Sequence, residues 1–327
     1  MFRLTLAALI ACLLSVPSVA AEKLPPERGM FVCGPSELEA KVPERFRLKQ
    51  KDEVAFERQP LAEVSSRYDI SRVTFASPVK TASEVNNTVH CEYFAPRGEG
   101  KRPAVIVLHI LGGDFELSRL FCHSLARQNV AALFLVMPYY GPRRDPAQPR
   151  RMIGPNPGET VEGMTQAILD IRRAANFLSS RPEIDRERLG IFGISLGGIT
   201  GALAMAAEPR FSRGCLLLAG GDIGRVAWDS QEIKKYRPRL EAQGFTRESL
   251  IEALKPIDPV TYAAELKGRR VLMLNAKSDE VVPPICTESL CKAFGQPEMV
   301  WYDGGHYTAM RSILDAVVRT QRFFTAP

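Results

Sequence analysis

The chain has 327 residues, 45% hydrophobic and 24% charged, with 43 lysines and arginines against 37 acidic residues and a formal net charge of +6. So mild a basic excess does not suggest a nucleic-acid binder, which would need a concentrated basic face. The length suits one large α/β domain.

Residues 1–20 read as a secretory signal peptide. Arg3 precedes an apolar run from Leu4 to Val16, and small residues around Ala20 and Ala21 supply a cleavage site. The run is shorter than the about 20 residues a spanning helix needs, so the mature chain is expected to lack a transmembrane segment and to be secreted or periplasmic. Leu9-Ile10-Ala11-Cys12 also resembles a lipoprotein box, which makes lipid anchoring through Cys12 a minor alternative. The other cysteines (Cys33, Cys91, Cys122, Cys215, Cys286 and Cys291) could form disulfides in an exported chain, with Cys286 and Cys291 the nearest pair in sequence. Cys215 lies in an apolar strand and reads as a buried thiol.

Residues 21–66 are charged, contain prolines and show weak helical periodicity, as expected of an N-terminal extension packed on a main domain of residues 67–327. Val73–Ala76 and Thr88–Phe94 alternate and read as an antiparallel pair. Asn86-Asn87-Thr88 is a glycosylation sequon, meaningful only in a eukaryotic secretory pathway. Ala104–His109 and Val130–Val136 are continuous apolar runs of the kind buried on both faces of a parallel sheet. Between them, Asp114 could cap a helix with Leu117, Leu120, Phe121 and Leu125 on one side. A Pro- and Arg-rich loop, 138–158, leads to a long helix with Val161, Met164, Ile168, Ile171, Ala175 and Leu178 on one face.

The apolar run ending at Ile194 then meets Gly193-Ile194-Ser195-Leu196-Gly197 and continues into small residues with helical character. Strand, sharp turn and helix form the context of a nucleophile elbow, in which a strained turn lifts the serine hydroxyl clear of the sheet. Strand 214–219 follows. Residues 221–258 then interrupt the alternation with two short helical segments, the first starting at a capping-box-like Asp229…Glu232. Alternation resumes with strand 270–275, a helix from about Pro284, strand 299–302 and a closing amphipathic helix. The fold class is therefore α/β, a mostly parallel sheet with helices on both faces, and 221–258 is a candidate small helical lid.

A serine hydroxyl needs a neighbouring base, usually a histidine oriented by a carboxylate. Of the four histidines only His306 follows Ser195, in a Gly-rich loop directly after a strand. Asp279, after strand 270–275, is the expected acid; Asp222, after strand 214–219, is its competitor. Glu280 is expected to point elsewhere, and Asp303 is too near His306 along the chain. The developing oxyanion needs amide donors: Leu196 at the start of the elbow helix, and Leu111 in the loop after His109, with Ile110 and Gly112 as alternatives. His109 itself reads as a structural support of that loop.

These motifs resemble the serine α/β-hydrolase superfamily, in its dienelactone-hydrolase-like and acyl-esterase branch. The resemblance is carried by His109-Ile110-Leu111-Gly112-Gly113, Gly193-Ile194-Ser195-Leu196-Gly197, Asp258-Pro259 with Tyr262-Ala263, Asp279 with Val281-Val282-Pro283, and Gly305-His306. It implies the α/β-hydrolase fold, a Ser195–Asp279–His306 triad, and neither a metal nor an organic cofactor. Dienelactone hydrolases use cysteine where this chain has Ser195, which argues for ester hydrolysis rather than their own reaction. Tyr140, Arg143 and Arg144, on a loop at a strand end, are candidates to bind a carboxylate or sugar acid; the other reading is that these arginines are solvated or hold the loop together. The insertion is too charged for a lipase lid. A small or moderately sized ester is the expected partner. The other readings are a noncatalytic binding or envelope-anchored protein of the same fold, and a peptidase.

Overall fold

The computed structural model describes residues 25–327, except residues 36, 114, 232, 233 and 267 and the side chains of 62–64. The signal-peptide segment, Cys12, the Asp114 cap and Glu232 lie outside the described residues. In chain order come β1 (Glu27–Cys33), β2 (Asp52–Val64), β3 (Tyr68–Ala76), β4 (Thr88–Pro96), β5 (Arg102–Leu108), α1 (Glu116–Arg127), β6 (Ala131–Leu135), α2 (Pro157–Ser180), β7 (Ile184–Ile194), α3 (Leu196–Ala207) and β8 (Phe211–Leu217). Then follow α4 (Ile223–Asp229), α5 (Arg237–Ala242), α6 (Arg247–Leu254), β9 (Arg270–Ala276), α7 (Pro284–Ala293), β10 (Glu298–Tyr302) and α8 (Ile313–Thr325).

Among the described residues ten strands form one mixed sheet in the order β1-β2-β3-β4-β6-β5-β7-β8-β9-β10. The pairings from β1 through β4 to β6 are antiparallel. Those among β5 to β10 are parallel. Every residue of β5 and β6 is buried, as the apolar runs 104–108 and 131–135 require. Arg102, which opens β5, is buried because its guanidinium donates to the Gly98 and Gly100 carbonyls at 2.6 and 3.1 Å. Ala104, Ile106 and Leu108 of β5 face one core with α2 and α3, whereas Val105 and Val107 face another with α1 and α8. On α2 the six apolar positions read from the sequence are all buried. Each contributes about 1.5–3 kcal/mol of burial if its side chain has the size of valine or larger. Asn156 caps this helix, accepting from the N–H groups of Gly158 at 2.9 Å and Glu159 at 3.3 Å.

The N-terminal extension departs from its helical expectation. Beside two single turns of 3₁₀ helix, it supplies β1 and β2, and β2 pairs with β3 in register Phe56↔Phe75. The boundary at residue 67 therefore separates strands of one sheet. Burial alternates along β2 through Val54, Phe56 and Arg58, and an arginine in an inward position hides that period. Arg58 lies there because its Nε donates to Ser71 Oγ at 3.0 Å and its guanidinium meets Glu27 at 3.3 Å. Arg172, on α2, ties the extension down by donating to both Glu39 carboxylate oxygens (2.7 and 2.8 Å) and to the Phe46 carbonyl (2.6 Å).

Two further expectations are corrected. Asp229 ends α4 instead of starting a helix, and pairs with Arg247 at 3.0 Å; the capping box belongs to Thr246 and Ser249, at the start of α6. The six cysteines from Cys33 to Cys291 are all free and buried. Cys286 and Cys291 sit on one helix and pack into different apolar clusters, so no disulfide joins them. Among the described residues no helix is long and apolar enough to cross a membrane.

Candidate active site

Parallel strands end at a common edge, so the loops after β5, β7, β8, β9 and β10 are brought together. Register does the fine placement: Leu108 of β5 pairs with Gly193 of β7, setting the His109 loop beside the elbow. Ser195 sits between β7 and α3 with φ 53° and ψ −114°, a strained conformation for a residue with a side chain. Its amide donates to the Leu217 carbonyl at 2.8 Å, and its carbonyl accepts from Ile199 N–H at 2.9 Å, which holds the turn from both sides. A methyl group at Gly193 would overlap the Gly197 carbonyl, and one at Gly197 would come within 2.7 Å of the Leu108 and His109 carbonyl oxygens. Both glycines are thus required by the close approach of strand and helix.

Ser195 Oγ lies 2.9 Å from His306 Nε2. His306 Nδ1 lies 2.7 Å from Asp279 Oδ2 and 2.9 Å from Oδ1. Asp279 Oδ1 also accepts the N–H groups of Val281 (2.9 Å) and Val282 (2.7 Å), so the turn after β9 orients the carboxylate. A carboxylate accepts only, which places the imidazole proton on Nδ1 and leaves Nε2 to accept the serine proton. All three residues are largely buried, at 8% (Ser195), 7% (His306) and 6% (Asp279) exposed.

Of the two carboxylates weighed from the sequence, Asp279 is the one against His306. Asp222 instead adopts a left-handed conformation (φ 50°) at the start of α4. Beside it, Asp258 accepts the N–H groups of Ile223 (2.8 Å) and Val260 (3.0 Å). Burial keeps the Asp258 carboxyl above its ordinary pKa, against the pull of those amides. Asp258 thereby pins both ends of the insertion. Glu280, expected to point away, reaches the His306 backbone: Oε2 accepts its N–H at 2.9 Å.

Leu196 opens α3, where the first amides of a helix have no intrahelical acceptor. In the loop after β5, His109 is fully buried. Its Nε2 accepts Met137 N–H at 3.1 Å, so Nδ1 carries the proton donated to the Ile110 carbonyl at 2.8 Å. Burial pushes the pKa of this imidazole down to about 4. Tyr140 packs edge-on against the His109 ring at 4.7 Å. Burial pushes its phenol up to about 12. Ile110, Leu111 and Gly112 all remain as candidate loop amides for an oxyanion, and Leu111 is 41% exposed.

Two site expectations on the neighbouring segments fail. Arg143 is completely buried and forms an ion pair at 2.8 Å with Asp170, itself fully buried. It also donates to the carbonyls of Asn86 (2.7 Å) and Val136 (3.1 Å), so it holds the loop and cannot meet a substrate. Arg144 is exposed. The sequon asparagine, Asn86, is fully buried; it donates to Gln166 at 2.9 Å and accepts Tyr139 N–H at 2.9 Å, which closes it to glycosylation in the folded chain.

A family model described as α/β-hydrolase domain containing 18 matches residues 44–219. The chain belongs to this α/β-hydrolase family. A model of the prolyl oligopeptidase family matches residues 164–309. An uncharacterized protein of Mycobacterium tuberculosis (strain H37Rv) is 27% identical to this α/β-hydrolase over 174 residues, covering 52% of this chain and 40% of the relative. The chain thus spans less than half the length of that relative. Among solved structures, an acetyl xylan esterase from Paenibacillus sp. R4 superposes with TM-score 0.61 at 23% identity, covering 80% of this chain and 88% of that one. Acetyl xylan esterase 1 from Thermoanaerobacterium gives TM-score 0.59 at 21% identity, covering 80% and 87%. These structural likenesses speak for the α/β-hydrolase fold.

Proposed function

We propose that this α/β-hydrolase cleaves a carboxylic ester of small or moderate size through an acyl-enzyme intermediate. The observation that carries the reading is the 2.9 Å approach of Ser195 Oγ to His306 Nε2, with Asp279 behind Nδ1 at 2.7 Å. His306 Nε2 would take the serine proton as Oγ bonds to the ester carbonyl carbon. The carbonyl electron pair would move to oxygen, where the amides of Leu196 and Leu111 would receive it; one such donor contributes about 10²–10³ in rate. Collapse would expel the alcohol, protonated by His306. A water, deprotonated by the same nitrogen, would then release the acid and restore Ser195.

The insertion, residues 221–258, is proposed as a lid. In support, Val226 of α4 packs with Ile199 of α3 and with Val281 and Val282 of the acid turn, and Gln231 N–H donates to the Glu280 carbonyl at 3.0 Å. Tyr140 and Arg144 are retained as substrate-side candidates. We place the hydrolase domain at 67–327, with 21–66 as its edge. Export through residues 1–20 to a secreted or periplasmic site completes the reading, with lipidation at Cys12 as the lesser route.

A peptidase is the second reading, favoured by the prolyl oligopeptidase match, whose span contains Ser195, Asp279 and His306. Initial rates on an aryl ester and on the amide of the same acyl group separate the two. Ester turnover that exceeds amide turnover and vanishes in folded Ser195→Ala supports the esterase; faster amide cleavage supports the peptidase. Equal ester turnover by wild type and Ser195→Ala removes both.

A further inference from the structure

Glu280 follows Asp279 in the same turn but makes different contacts. Its side chain is exposed, yet Oε2 accepts the backbone N–H of His306 at 2.9 Å. The loop around His306 is fastened at neighbouring points too. Ser278 N–H donates to the Gly304 carbonyl at 3.0 Å, and Gly305 N–H donates to Thr308 Oγ1 at 2.8 Å. Those bonds shape the approach to the histidine, whereas the Glu280 bond is made to the residue that carries the imidazole. Gly305 lacks a side chain where the carboxylate lies, since a methyl group there would overlap Glu280 Oε2. Glu280 is itself braced: its carbonyl accepts Gln231 N–H from the insertion at 3.0 Å, and its peptide bond joins it to Asp279.

We propose that Glu280 is a positioning residue for His306, its carboxylate holding the histidine backbone in the register that keeps Nε2 on Ser195 Oγ. The proposal rests on the reading of Ser195, His306 and Asp279 as the reactive centre. A single part-buried hydrogen bond contributes modestly to global stability. A reacting group displaced by about an ångström, in contrast, can lose about 100-fold in rate. Removing the carboxylate should therefore cost turnover far more than folding.

Glu280→Ala and Glu280→Gln test this with two readouts, one of which needs no activity. Backbone hydrogen exchange over 303–309 should accelerate at least about 10-fold in Glu280→Ala and stay unchanged in the rest of the sheet. On an aryl ester, kcat should fall about 10-fold to 100-fold, with KM within about twofold. Glu280→Gln keeps a carbonyl oxygen to accept the amide and should hold both readouts within about threefold of wild type. Unchanged exchange in Glu280→Ala overturns the proposal. So does faster exchange with unchanged kcat, or a glutamine variant that falls as far as alanine. If the wild type shows no Ser195-dependent turnover, the esterase reading fails separately, and exchange alone decides: acceleration upholds the hold on His306 and no change overturns it.

Discussion

Replacing Arg143 should unmask a buried charge rather than a substrate contact. The guanidinium and the Asp170 carboxylate meet at 2.8 Å with both side chains at 0% exposure. Ser77 Oγ donates to Asp170 Oδ1 at 2.6 Å, and this is the hydrogen bond that remains once the arginine is gone. Arg143→Met leaves the carboxylate without its ion-pair partner and with only the more distant Arg173 charge, which costs up to about 3–5 kcal/mol. Against the about 5–15 kcal/mol that holds a typical domain together, the variant stays folded with a much lower denaturation midpoint. Adding Asp170→Leu removes the stranded charge and should recover most of the loss, so the two substitutions will be far from additive. Urea unfolding followed by tryptophan fluorescence measures Arg143→Met, Asp170→Leu and the double variant. An Arg143→Met protein within about 1 kcal/mol of wild type, with kcat/KM reduced selectively for anionic esters, would refute the reasoning and return Arg143 to the substrate.

Three other outcomes follow from the same structure. Burial holds the His109 imidazole at about 4 against an ordinary 6.5, so between those values the unfolded chain binds more protons than the folded one. Stability should be full above about 6.5 and decline as pH falls toward about 4, by about 3 kcal/mol from this residue; His123, also pushed down to about 4 by burial, acts in the same direction. Denaturant titrations at pH 7 and pH 4.5 measure the slope, and His109→Gln should flatten it. The cysteines from Cys33 to Cys291 are buried, and burial raises each thiol's pKa, so an aromatic disulfide reagent should label them slowly in native protein and at once in guanidinium. Rapid native labelling would contradict the packing. Arg144→Ala should lower kcat/KM for anionic esters more than for neutral ones if that exposed arginine meets substrate; equal effects would exclude it.

The parallel half of the fold was legible because buried parallel strands are written as unbroken apolar runs, and α2 because six apolar positions repeat on one helical face. Ser195, Asp279 and His306 could be picked out because each follows a strand, in an order that puts the three loops at one edge. Asp222 follows a strand too, so order alone could not dismiss it; the Val281 and Val282 amides that aim Asp279 at His306 exist only once the turn folds. β1 and β2 were missed because Arg58 breaks the apolar alternation, and its partners Glu27 and Ser71 are remote in sequence. For Arg143 the sequence left a substrate contact open beside a solvated or loop-holding role, and only the carboxylate on the inner face of α2 found against it selects the last. Glu280 carried one signal in retrospect, the glycine at 305, whose missing side chain makes room for a carboxylate.

The central claim is that the Ser195 hydroxyl is an activated nucleophile, and covalent capture tests it most directly. The protein is treated with a fluorophosphonate, digested, and the peptide containing Ser195 weighed. The account predicts a phosphonyl adduct on Ser195 that forms quickly in wild type, more than about 10²-fold more slowly in His306→Ala, and not at all in Ser195→Ala. An unmodified Ser195 in protein that still hydrolyses the aryl ester would contradict it.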